Sequence, residues 1–137
     1  MSMKFKVYLS GPLFSQAEIQ WAKSLKALIE EKSAGMMEVL WPHEMAPLQC
    51  QKIFSTNLEA LIVCDLMVAI LDGPQVDDGT AWEMGYFYAR GGKILGIRTD
   101  FRKAGEAMES KVNLMVEHSC ISISQNIGQL LSELMRI

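Results

Sequence analysis

Five short apolar segments alternate with amphipathic ones along this chain, and that alternation leaves few folds open. Residues 4–10 read as a strand, closed by the turn Ser10-Gly11-Pro12. Residues 15–33 read as a helix, with Ile19, Ala22, Leu25, Leu28 and Ile29 on one face and Lys23, Lys26 and Glu30 opposite. Ser15 followed by Glu18 is a capping-box signature for its start. A second strand over 38–41 stops at Pro42, a polar loop follows, and a helix is expected over 49–63. The run 65–72 is a third, buried strand, and the next helix spans roughly 80–90, ended by Gly91-Gly92. Strand 93–98, a polar connection over 99–107, a short helix over 108–118, strand 120–123 and a last helix over 125–136 complete the chain.

Strands separated by helices imply a parallel sheet covered on both faces. The expected fold is therefore α/β: a flavodoxin-like, doubly wound, five-stranded parallel sheet of order 2-1-3-4-5. Right-handed crossovers then place the ends of strands 1 and 3 beside the topological switch point. The loops after Ser10 and Asp72 should face one crevice. The 137 residues suffice for one domain, residues 1–137, with a real core.

The chemistry concentrates in an acidic run. Asp72, Asp77, Asp78 and Glu83 crowd the exit of the third strand and the start of the next helix. Carboxylates held together repel and are costly to desolvate, so they point to a ligand or a reaction. Gly79 permits close approach of backbone to a ligand. Glu83 lies about one turn into a helix opening near Thr80, where the helix terminus would keep it ionised, as a nucleophile requires. The same spacing, Thr80-x-x-Glu83, is also a capping box in which Glu83 serves only the backbone. Alternation puts Tyr8 and Ser10 on one face of the first strand, away from Phe5, Val7 and Leu9. Tyr8 is then either half-buried packing or a hydroxyl that orients Glu83. Leu13 and Phe14 are packing residues or the wall of a base pocket. Asn57 on its helix reads as solvated or as a substrate contact. Trp82, Met84, Tyr86, Phe87 and Tyr88 make the helix after the acidic run apolar nearly all round, which suits a subunit interface or deep burial.

Composition excludes several classes. A net charge of −3 with interspersed signs gives no footprint for nucleic acid or anionic lipid. No apolar run approaches the ~20 residues of a membrane span, and the chain enters a strand at once without a signal peptide, so a cytoplasmic protein is expected. Cys50, Cys64 and Cys120 form no CxxC pair and read as reduced thiols. His43 and His118 lack metal-ligand spacing, and no metal is expected.

At these residues the chain resembles the nucleoside 2-deoxyribosyltransferase family. The matching elements are Val7-Tyr8-Leu9-Ser10-Gly11-Pro12, Asn57, Cys64-Asp65 and Asp77-x-Gly79-Thr80-Ala81-x-Glu83-x-Gly85. Leu95-Gly96-Ile97-Arg98-Thr99-Asp100-Phe101-Arg102 and Asn113-Leu114-Met115 follow in order. The resemblance implies that Glu83 attacks C1′ of deoxyribose, that Tyr8 hydrogen-bonds Glu83, and that Asp77 binds the sugar hydroxyl or assists at the base. The expected substrate-binding residues are Ser10, Gly11, Leu13, Phe14, Asn57, Asp78, Gly79 and Asn113, and Asp72 and Asp78 are expected to shape the loop. Asn57 stands where relatives carry Asp or Asn, so an acid role there is in question. The segment of Asn113 helps complete a neighbouring subunit's site, which implies a homodimer or an assembly of dimers. The implied partners are a deoxynucleoside and a free nucleobase, and the implied activity is transfer of 2-deoxyribose between bases through a glutamyl ester, without metal or cofactor.

Three other readings stand beside it. A 2′-deoxynucleoside hydrolase would release the base without exchange. A 5′-monophosphate N-glycosidase would need hydroxyl and amide donors, or Arg, around the 5′ position. Asp77 and Asp78 oppose this, whereas Arg98, Arg102 and Lys103 are candidates to reach the phosphate. A non-catalytic nucleoside-binding module would keep the pocket alone. A phospho-receiver fails because Ser10-Gly11-Pro12 supplies no acidic pair, and a dinucleotide-binding reading fails because no GxGxxG follows any strand. His43, Glu44, Gln49 and Gln51 are candidates for base contact.

Overall fold

The computed structural model describes residues 3–45 and 49–137. In chain order the elements are β1 (Phe5–Ser10), α1 (Gln16–Lys32), β2 (Met37–Leu40), α2 (Pro42–Met45), α3 (Cys50–Val63) and β3 (Leu66–Ile70). They continue with α4 (Asp78–Ala89), β4 (Lys93–Ile97), α5 (Leu114–Ser119), β5 (Ser122–Ser124) and α6 (Ile127–Met135). All strand pairs are parallel and the sheet order is β2-β1-β3-β4-β5, as the alternation predicts.

Burial on both faces follows from the covering helices. Val7, Leu9, Leu66, Val68, Leu95 and Ile97 pack on one side against Leu25 and Ile29 of α1 and Leu130 and Leu134 of α6. Tyr8, Met67, Ala69 and Ile94 pack on the other, against Leu61 of α3, Met84 and Phe87 of α4 and Val116 of α5. β3 is buried at every position, which accounts for its uninterrupted apolar run.

Local chemistry fixes the helix ends. The Glu18 N–H donates to Ser15 Oγ at 3.1 Å, and the Glu18 carboxylate accepts from the Phe14 N–H at 3.0 Å, so the capping box closes one residue upstream of Ser15. Gly91 takes φ 81°, and the Gly91 and Gly92 amides donate to Tyr88 and Phe87 carbonyls at 2.9 Å, a left-handed stop for α4.

Some boundaries differ from the sequence reading. The expected polar loop after Pro42 opens as the one-turn helix α2, because proline suits the first helical position and the Trp41 carbonyl accepts from Glu44 and Met45. The helix expected over 108–118 starts at Leu114, where Asn113 caps it through a 2.8 Å bond from the Met115 N–H. Helix α4 starts at Asp78 rather than near Thr80.

Candidate active site

Tyr8 and Ser10 are neighbours on one face of the central strand β1, and both are fully buried. That face meets α4, and the two hydroxyls converge on one carboxylate. Ser10 Oγ donates to Glu83 Oε1 at 2.6 Å, and the Tyr8 hydroxyl donates to Glu83 Oε2. Burial pushes the Glu83 carboxyl above its ordinary range; the Ser10 and Tyr8 hydrogen bonds oppose this, and the charge of Asp77 adds to it. Burial and the adjacent Glu83 charge push the Tyr8 phenol up as well, so it holds its proton and serves as a donor.

Asp77, not Thr80, caps α4. The Thr80 N–H and hydroxyl both donate to Asp77 Oδ2, at 2.9 and 3.0 Å. The Thr80–Glu83 capping box therefore does not form, and Glu83 is turned to β1 instead of the backbone. Because the helix begins two residues earlier than the spacing suggests, Glu83 sits in its second turn. The expectation that a helix terminus holds it ionised gives way to net desolvation.

Glu83 opens onto a cavity of about 700 Å³ between the β1–α1 turn, α3 and the start of α4. Gly11, Leu13, Phe14, Asn57, Asp77, Asp78 and Gly79 line the same cavity. The structure thus brings together every expected site residue except Asn113, with Tyr8 and Ser10 joined through Glu83. At Gly11 a Cβ would lie 2.9 Å from Ile70 Cβ, so glycine is what lets the turn cross the end of β3 at the cavity edge. Asn57 Oδ1 is buried without a hydrogen-bond partner among the described residues. Asn57 is therefore half-buried with an uncommitted carbonyl oxygen, rather than fully solvated as its helix position suggests.

Asn113 lies apart, beside a second cavity of about 610 Å³ shared by α4 and α5. Its side chain caps α5 and donates to Glu106 at 3.2 Å.

Asp72 shapes the loop, as expected. Its Oδ1 accepts from the Thr99 and Asp100 amides at 2.6 and 3.0 Å, and its Oδ2 from the Thr99 hydroxyl at 2.7 Å. The candidate phosphate-binding cations are engaged elsewhere. Arg98 is 2 % exposed and donates to the Leu71 and Arg102 carbonyls. Arg102 is locked onto Asp100, with its closest approach at 2.6 Å, and Lys103 reaches Glu109 at 3.2 Å.

Of the candidate base contacts in the expected 42–50 loop and just beyond, none lines the cavity. His43 packs against Trp41 with ring centroids 4.8 Å apart at a 38° tilt, Glu44 lies 3.6 Å from Lys26, and Gln49 and Gln51 are exposed. Residues 46–48 of that stretch lie outside the described residues. The wall is made instead by Ile53, Phe54, Leu58 and Leu61 of α3 and Trp82 of α4. The signal for the α3 side was present as apolar residues at helical spacing around Asn57. Cys50 lines the cavity exposed, while burial raises the Cys64 thiol to about 12 and the Cys120 thiol to about 11.

Comparison with known proteins fits this geometry. The family model for nucleoside 2-deoxyribosyltransferase matches residues 7–115. An uncharacterized protein of Ureaplasma parvum is 35 % identical over 99 residues, 65 % of this chain and 63 % of that protein's length. A conserved protein from Enterococcus faecalis superposes with a TM-score of 0.82 at 27 % identity, over 98 % of this chain and 99 % of the other. The 2-deoxyribosyltransferase of Bacillus psychrosaccharolyticus gives 0.74 at 22 % identity, over 92 % and 90 %. The CMP N-glycosidase of Clostridium botulinum gives 0.60 at 21 %, over 96 % and 98 %. The last two likenesses speak to the fold.

Proposed function

The chain belongs to the nucleoside 2-deoxyribosyltransferase family, and from that premise we propose that it cleaves the N-glycosidic bond of 2′-deoxynucleosides and passes the deoxyribosyl group to another base. The observation that carries this reading is Glu83, a carboxylate held by two buried hydroxyls at the wall of a cavity. In the proposed first step a Glu83 oxygen forms a bond to C1′ as the C1′–N bond breaks. The electron pair leaves with the base, which takes up a proton. In the second step a nitrogen of the incoming base attacks C1′, the ester bond breaks back onto Glu83, and the acceptor gives up a proton. Two displacements retain the configuration at C1′. Tyr8 and Ser10 keep both carboxylate oxygens aimed, and Asp77 beside them meets the sugar. Asn57 is an amide and supplies no acid for the departing base, whereas Asp77 lines the same cavity as a carboxyl group.

An uncharged nucleoside suits the site better than its 5′-monophosphate. Asp77 and Asp78 flank the helix start, Arg98 is buried against the Leu71 and Arg102 carbonyls, and Arg102 is paired with Asp100. Assembly as a homodimer belongs to the same proposal. It is supported by the exposed Tyr88, Leu114 and Met115 around the cavity that holds Asn113.

The test is incubation with deoxyinosine or thymidine and a different free base. A new deoxynucleoside, together with a deoxyribosyl adduct on Glu83 seen by mass spectrometry, is the expected result. Base release without exchange would make the protein a hydrolase. Binding without either product would make it a nucleoside-binding module.

A further inference from the structure

We propose that Phe54 and Trp82 form the stacking wall for the nucleobase and bias the enzyme toward purine over pyrimidine acceptors. The proposal rests on the transfer reading for the position of the sugar, which Glu83 fixes. A base bonded directly to C1′ must lie within one bond of the reacting carbon. The cavity onto which Glu83 opens is lined, among other residues, by the rings of Phe54 and Trp82. Trp82 precedes Glu83 by one residue, and Phe54 faces it from α3, their ring centroids 5.7 Å apart at 66°. Both rings stay open to solvent, Phe54 56 % and Trp82 50 % exposed, in a chain that buries Trp41 to 2 %.

The indole is braced before any ligand arrives. Tyr86 stacks on it at 5.6 Å and 6°, and the Arg90 guanidinium sits 5.6 Å over the Tyr86 ring and donates to its hydroxyl at 3.1 Å. A ring fixed in this way loses little freedom on binding, so the wall recognises flat faces efficiently. Every nucleobase has such a face, and stacking discriminates weakly by hydrogen-bond pattern. The wall therefore favours area over edge chemistry: purines bind better than pyrimidines, and bases within each class differ little. Asn57, one turn beyond Phe54 on the same wall, supplies a polar contact for a base edge.

Tryptophan fluorescence separates this proposal from catalysis. Titration of Glu83→Gln with free adenine and with free thymine should give saturable quenching, at lower concentration for adenine. Trp82→Phe should lose most of the quenching yet keep the acceptor KM within about 3-fold, because the aromatic face remains. Trp82→Leu should raise the acceptor KM about 10-fold or more with kcat nearly unchanged, and Phe54→Leu should do the same to a smaller degree. An unchanged KM in both leucine variants, or no quenching at base concentrations that saturate exchange, overturns the wall. A change of oligomeric state in Trp82→Leu with KM unchanged also overturns it, by making the rings a subunit contact. Quenching in a wild-type protein that exchanges nothing leaves the wall standing while the transfer reading fails.

Discussion

Two acidic sites at the carboxyl ends of the strands treat negative charge in opposite ways. At the end of β3, Asp72 accepts two backbone amides and a hydroxyl from Thr99 and Asp100. Asp100 in turn accepts from the Gly73 amide at 3.1 Å and from Arg102, and the Arg102 hydrogen bonds hold its carboxyl well below the usual range. On α4, Glu83 has two hydroxyl donors among the described residues and a like charge nearby, and its carboxyl is pushed up. Amide and guanidinium donors turn a carboxylate into a fastener between β3 and β4. A carboxylate left short of donors at a cavity wall keeps its lone pairs available for chemistry.

The sharpest way to break that contrast is Glu83→Gln. We expect turnover to fall by about 10³-fold or more, measured by base exchange under saturating substrate. Stability should move the other way. A carboxyl whose folded pKa is raised contributes stability that is fully present below its unfolded pKa and is lost as pH rises through the folded value. Wild type should therefore lose ground to Glu83→Gln as pH rises above about 4.3 and match it below that, in denaturant titrations at each pH. A variant less stable than wild type at neutral pH would place Glu83 with the fasteners.

Tyr8→Phe comes next. Removing one donor leaves the carboxylate less stabilised and raises its pKa further, so the acid limb of kcat/KM should shift to higher pH. The rate should fall by about 10²-fold. An unmoved acid limb would separate the tyrosine from the titration of Glu83.

The smallest effect on chemistry and the largest on folding belong to Asp72→Ala. It strands the Thr99 and Asp100 amides and should cost about 2–3 kcal/mol in urea unfolding. Activity per folded molecule should change far less than in Glu83→Gln. If Asp72→Ala abolished turnover while leaving stability intact, the division into fastener and reactive group would be wrong.

Much of this was readable in the chain because its periods agree with its fold. The alternation of segments gave strand order, and the two-residue period of β1 put Tyr8 and Ser10 on the face that meets Glu83. The start of α4 was not readable. Asp77 and Thr80 are both good caps, and only the packing of Glu83 against β1 selects between them. Arg98 illustrates another limit: a cation after a strand looks accessible, yet carbonyls of Leu71 and Arg102 draw it inside. Trp82 and Phe54 were hidden for a similar reason. An aromatic on a helix can serve a core, an interface or a pocket, and the spacing is the same for all three.

Tyr8 and Ser10 are buried completely on a strand paired on both sides, whereas Phe14, Phe54 and Trp82 stand at an exposed rim. Substitution is costly at the first pair and cheap at the second. Over generations such a chain is free to change what it accepts without rebuilding what reacts, and drift at the rim can widen or narrow its diet while the fold stays the same.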